Sequence, residues 1–243
     1  MRIFGALALA GAVVAVPAIA QEKAAVKPGF SLPADKPVRI LVFRPDVKVG
    51  SQSAGGVVTP NAQWTASARR LLADAITAAR PGGASDVVFM PELEGEDAML
   101  LADYQALFSA VADTVLQHRL FKGDRLPTKK TGFEYTLGPG VAKVAEKAGG
   151  DYALFVTTND AFGSTGRKLL QLFAAGAVGV GVTSGEHIGY AGLIDLKTGD
   201  LVWINADYKM GGDVREADGA AKRARQLLED FPAPGTALAV AGK

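Results

Sequence analysis

The stretch Gly189–Asp207, GYAGLIDLKTGDLVWINAD, constrains the fold more than any other part of the chain. Two apolar runs, Tyr190–Leu196 and Leu201–Ala206, flank Lys197-Thr198-Gly199. A three-residue hairpin loop closes on a left-handed residue, and glycine adopts that conformation at least cost. Asp195 precedes the turn, where its carboxylate can accept from the backbone NH of Lys197 or Thr198. Pairing Leu196 with Asp200 sets Ile194 opposite Val202 and Leu193 opposite Trp203. One face then carries Ile194, Val202 and Ile204, and the other Leu193, Leu201 and Trp203. Both faces are apolar, so the hairpin belongs inside a sheet covered on two sides.

The rest of the chain supplies that sheet and its cover. Val38–Phe43 reads as a buried first strand ended by Arg44-Pro45-Asp46, and Val49–Pro60 as a glycine-rich loop. Asn61 is placed to cap a helix over 62–80, which Pro81-Gly82-Gly83 stops. Asp86–Met90 is a second strand. Glu92, Glu94, Glu96 and Asp97 crowd the start of a long helix over about 95–120, where negative charge suits the helix N-terminus. A short strand at Phe133–Leu137 and a third helix from Pro139 follow. Asp151–Thr158 is a third strand and Asn159–Thr165 a polar loop. Over 167–182 the pattern fits either a helix end or a small-residue strand. Ala217–Phe231 closes the fold as a helix with Ala221, Ala224, Leu227 and Leu228 inward. The expected class is α/β: a single domain with a mixed sheet and a C-terminal β-hairpin flanked by helices.

Residues 1–20 read as a signal peptide. Arg2 is the positive start, Ile3–Val16 the apolar run, and Ala18-Ile19-Ala20 the cleavage signal. The apolar run is short of the ~18 residues a membrane span needs, so no span is expected after cleavage. The expected organisation is signal peptide 1–20, flexible leader 21–37, α/β domain 38–231 and disordered tail 232–243. Cleavage takes one arginine from the 26 Lys and Arg and none of the 25 Asp and Glu, which leaves a side-chain balance of zero. That argues against a nucleic-acid binder driven by phosphate contacts. With no cysteine there is no disulfide, no thiol chemistry and no lipid-anchoring cysteine.

Motifs for chemistry are sparse. Gly176, Gly179 and Gly181 do not complete a dinucleotide fingerprint, and Gly163-Ser-Thr-Gly166-Arg167-Lys168 lacks phosphate-loop spacing. His118 and His187 lie far apart, and Glu186-His187 fits a solvated loop better than a metal pair. Thr183-Ser184-Gly185 lacks the first glycine of a nucleophile elbow. Asp151, Asp160, Asp195 and Asp207 could supply paired carboxylates only if the fold brought them together. The polar run Thr157, Thr158, Asn159 and Asp160 follows a buried strand, where open α/β sheets place small ligands. No residue is assigned a catalytic, cofactor-binding or metal role, and no cofactor is expected.

Asp151-Tyr-Ala-Leu-Phe-Val and Gly192-Leu-Ile-Asp195-Leu-Lys-Thr198-Gly199-Asp-Leu-Val-Trp203 resemble the soluble α/β domain of bacterial envelope proteins. That group includes the curli-secretion lipoprotein (CsgG-like) family and the N-terminal domain of TolB. The stretch from Ala54-Gly55-Gly56-Val57 through Trp64 to Arg69 resembles exported proteins of the same broad type. The resemblance implies a periplasmic, non-catalytic interaction or assembly module whose partners are envelope proteins or copies of itself. The alternative is a periplasmic small-ligand-binding protein or hydrolase that uses loops near Asp160 and His187. Convergence of His187 with Asp160 would favour that alternative, and an exposed apolar helix face would favour the module.

Overall fold

The computed structural model describes residues 24–83, 86–120, 126–127, 132–146, 149–178 and 185–235. The signal peptide and the end of the expected tail lie outside them. Eight strands form one mixed sheet: β1 (Ala24–Val26), β2 (Arg39–Val42), β3 (Asp46–Gln52), β4 (Val58–Pro60), β5 (Asp86–Phe89), β6 (Tyr152–Gly163), β7 (Gly185–Asp195) and β8 (Leu201–Asp207). The main order is β1-β8-β7-β6-β2-β5. β6 runs parallel to β2 and β3 and antiparallel to β7. The sheet is mixed and α/β, as its sequence pattern predicts.

Helices cover both faces. On one, α1 (Ala62–Ala79) sends Ala68, Leu72 and Ile76 onto Ile40 and Val42, beside α5 (Ala217–Leu227). On the other, α2 (Gly95–Val115) sends Phe108, Ala112 and Val115 onto Leu41, Phe43 and Phe155. The Phe108 ring stacks on Phe155 at 4.6 Å. Gly192 lets it approach: a Cβ there would sit 2.6 Å from the Phe108 ring. α2 and its wide last turn, Gly95–Leu120, are long and apolar enough to cross a membrane by length and composition. Here the inner stripe packs on the sheet, while Met99 and Leu107 face outward. Short α3 (Ala142–Ala145) and α4 (Thr165–Val178) complete the elements.

Several sequence expectations change. The leader is not free: Ala24–Val26 pairs with Trp203–Asn205, and Lys27 Nζ reaches Asp200 Oδ2 at 2.7 Å, which holds that carboxyl below its usual range. The expected loop over 49–60 is largely strand, because β3 extends along β6 and turns back as β4. Residues 159–163 are not a loop but the second half of β6. Phe133–Leu137 forms no named strand, only a bridge from Thr136 to Asp200. Of the ambiguous 167–182 stretch, the described part is helix to Val178.

The hairpin stands, with one correction. Asp195 Oδ1 accepts from Lys197 N and Thr198 N at 2.8 and 3.2 Å, and Gly199 has φ +80°. Leu193 faces Trp203 as expected, but Ile194 faces Leu201, because a bulge inserts Val202. The extra residue reverses the alternation. Leu201 therefore joins Ile194 and Ile204 on one face, while Val202 joins Leu193 and Trp203 on the other.

Gly199→Val is expected to destabilise the protein by about 1–3 kcal/mol from backbone strain alone. A Cβ at Gly199 would also lie 2.1 Å from the Gly138 carbonyl oxygen, so that loop must shift as well. Trp203 is fully buried, and Trp203→Ala should cost roughly 3–5 kcal/mol. Denaturant titration measures both, and unchanged midpoints would disprove the hairpin's role.

Candidate functional site

The far half of β6 buries two polar side chains that a sheet interior tolerates only when they are paired. Thr158 and Asp160 point to the same face, and both are fully buried. Thr158 Oγ1 donates to Asp160 Oδ2 at 2.7 Å. Asp160 stands opposite His187 in the β6–β7 register, and His187 Nδ1 lies 2.7 Å from Asp160 Oδ1. The third partner comes from α5. Arg223, also fully buried, places Nη1 2.9 Å from Asp160 Oδ1, and its Nη2 donates to Gly212 O at 3.0 Å. Arg223 Nε has no partner among the described residues.

The shell around His187 is aromatic and cationic. The Phe162 ring lies 4.9 Å from the imidazole. The Arg215 guanidinium sits 3.8 Å over Phe162 and 4.4 Å over Trp64, a cation–π arrangement that joins β6 to α1. Asp213 accepts from Arg215 Nε at 2.8 Å, and this hydrogen bond is the main reason its carboxyl lies below the usual carboxylate range. With a carboxylate accepting at Nδ1, a neutral imidazole carries its proton there and leaves Nε2 as an acceptor. The side chain is 26% exposed.

The fold therefore brings Asp160 and His187 together and adds Thr158. Glu186 is exposed beside them, and Thr183 and Ser184 lie outside the described residues. The other acids do not join. Asp151 accepts from Arg39 N, Asp195 closes the hairpin turn and Asp207 accepts from Lys209 N. His118 lies on the turn that ends α2. Among the described residues no three His, Asp or Glu side chains converge as metal ligands. The acids Glu92–Asp97 sit at the start of α2, as helix electrostatics predict. Arg223 was the missed member. Its signal was its place on α5, one turn from both Ala220 and Leu227 on the inward stripe.

A second feature lies just past β6. None of the described side chains of α4 is buried. Leu169 and Leu170 are about half exposed, and Leu172 and Phe173 are 70% and 72% exposed. Val57 and Val58, by the tip of the β3–β4 hairpin, are also exposed. Gly56 at that tip approaches Arg167 of α4.

No protein-family profile and no curated protein matches the chain. Among solved structures it is similar to a PelC dodecamer from Paraburkholderia phytofirmans, at 12% identity and a TM-score of 0.39, over 85% of this chain and 95% of that one. It is similar to lipoprotein GNA1162 from Neisseria meningitidis at 15% identity and a TM-score of 0.29, over 70% and 78% of the two chains. It is also similar to the LpoB C-terminal domain from Salmonella enterica at 12% identity and a TM-score of 0.25, over 72% and 85%. All three are bacterial envelope proteins, and neither a curli-secretion protein nor TolB is among these three.

Breaking a buried ion pair on one side leaves an uncompensated charge. Arg223→Met or Asp160→Ala should each cost about 3–5 kcal/mol, and replacing both with apolar residues should cost less than either alone. His187→Ala leaves the Asp160–Arg223 pair intact and should cost the least of the three. Urea titration of the set checks the ranking.

Proposed function

We propose that the chain is an exported, non-catalytic assembly module of the bacterial envelope that works in the periplasm. The contact joins copies of the chain, α4 of one against the outer face of α2 of the next. The single observation behind this reading is α4. Isolated helices shorter than ~12–15 residues are marginal in water, and this helix of 14 residues gains no buried side chain from its own chain among those described. Its apolar face needs a cover.

Complementarity argues for the cover. Apolar Leu169, Leu172 and Phe173 follow the basic pair Arg167 and Lys168. The outer face of α2 exposes Met99, Ala106 and Leu107 along one stripe, with acidic Glu96 and Asp103 on the same side. Small residues let a second helix come close, and the opposite charges fix its direction. Two different patches meet head to tail, so the contact is heterologous and repeats around a ring or along a filament. The export half of the proposal rests on the signal-peptide reading of residues 1–20.

The Asp160–His187 pair favours a second reading, a periplasmic small-ligand-binding protein or hydrolase acting at the outward face of His187. Against it, Arg223 gives the buried carboxylate a sufficient role in anchoring α5.

Sedimentation velocity across a concentration series tests assembly. The wild-type chain should sediment as a growing oligomer. Leu172→Asp with Phe173→Asp should stay monomeric while its unfolding free energy moves by no more than about 0.5 kcal/mol. Lys168→Glu should weaken assembly, and adding Glu96→Lys should restore it. A wild-type chain that is monomeric throughout would overturn the proposal.

The dyad is tested in cells. His187→Ala that folds and assembles normally should keep wild-type envelope function. If it reproduces the deletion phenotype instead, the second reading replaces the first.

A further inference from the structure

The crevice beyond the carboxyl ends of β2 and β5 has the position, shape and charge of a ligand site. β2 pairs with β5 on one side and β6 on the other. The connection to β5 passes through α1 on one face, and that to β6 passes through α2 on the other. Where flanking connections part to opposite faces, the strand ends open into a cleft, and open α/β sheets bind ligands there. In this chain the parting is widened at Arg44 and Pro45, where β2 stops and β3 resumes the pairing with β6. The resulting cavity holds about 570 Å³, within the range of about 300–1,000 Å³ usual for small-molecule sites.

Its lining divides in two. Phe89, Met90, Leu93 and Leu101 form an apolar floor, and alanines of both helices, Ala73 among them, leave the space open. Three guanidiniums, Arg44, Arg69 and Arg70, face one carboxylate, Glu92. The Arg44–Glu92 contact is 3.6 Å long between exposed side chains, at the loose end of surface ion pairs. Arg69 is held in place by donating to the carbonyl oxygens of Pro45 and Val47 at 3.1 and 3.4 Å. Burial first, and the charge of Arg44 second, lower its pKa from the ordinary value, against an opposing pull from Asp46. The Arg70 side chain has no hydrogen bond or ion pair among the described residues. Three like charges are thus crowded at one rim of an apolar cleft whose lining holds one carboxylate, Glu92.

The geometry points to a binding site for a small anionic amphiphile, an organic acid whose single anionic group lies among Arg44, Arg69 and Arg70 and whose apolar tail lies along Phe89, Met90 and Leu101. Planar guanidiniums suit a carboxylate, which accepts two hydrogen bonds at once. The site is separate from both the Asp160 cluster and α4.

Isothermal titration with dodecanoate, below the concentration at which it forms micelles, tests the assignment. Saturable binding of one dodecanoate per chain is expected. Acetate lacks the tail and dodecyltrimethylammonium reverses the charge, so neither should bind at matched concentration. Arg44→Ala with Arg70→Ala should raise Kd by about tenfold or more, one charge-assisted hydrogen bond's worth. Ala73→Phe should abolish binding by filling the cleft, with circular dichroism showing that both variants stay folded. Leu172→Asp with Phe173→Asp should bind as the wild type does, which separates this site from the apolar helix. Equal binding of the cationic amphiphile, an unchanged Kd in the double arginine variant, or binding lost only in the α4 variant would overturn the assignment.

Discussion

The length of β6 is the constraint on which the rest of the structure depends. Its twelve residues are paired along nearly the whole strand on both sides, with β7 on one and the β2–β3 segments on the other. The first half is almost wholly apolar and buried from both faces, so it holds α1 and α2 on opposite sides. The second half extends beyond α2 and must bury Thr158 and Asp160. Desolvating a carboxylate costs several kcal/mol unless charge and hydrogen bonds compensate. Arg223 supplies the charge, and it can do so only from α5. The closing helix is therefore tied to the sheet by the polarity of β6 as much as by Ala220, Ala224 and Leu227.

The same strand accounts for the crevice. β6 is straight enough to pair continuously with β7, but its parallel neighbour is interrupted at Phe43-Arg44-Pro45. Proline has no NH to give the ladder and fixes its own φ. β5 pairs with β2 alone and ends at Phe89, so the sheet narrows where β3 takes over. α1 follows β4 and α2 follows the end of β5, and the two helices lie on opposite faces beside the gap. An interruption that looks like a strand end in the sequence works as a step in the sheet edge, with arginines at its rim.

What the sequence made legible was local. The hairpin turn is set by Asp195 and Gly199 within five residues of each other, and the Asn61 cap bonds Trp64 N at 2.9 Å. Helices α1 and α2 show their stripes at helical spacing. The illegible parts depend on partners far along the chain. Asn159-Asp160 reads as a loop because nothing nearby could neutralise a buried aspartate. Its partner lies on α5, and its cross-strand neighbour His187 belongs to β7. Gly50 and Ser51 make the end of β3 look like a loop, yet backbone pairing with β6 needs no apolar side chain. Ala24–Val26 is too short to read as a strand until β8 presents an open edge. The register slip at Val202 is a bulge, which alternation alone does not reveal.

The uncovered surface gives the fold its direction. A chain with a formal net charge of +1 has little long-range repulsion to keep copies apart. α4 presents large apolar side chains to solvent at the end of β6, and α2 presents Met99 and Leu107 on the opposite face of the sheet from α1. Among the described residues neither patch is covered, and the sheet faces that could receive them are already filled by the two hydrophobic clusters. The buried Asp160–Arg223 pair then has a mechanical consequence. It ties α5 to the second half of β6, the strand whose end leads into α4.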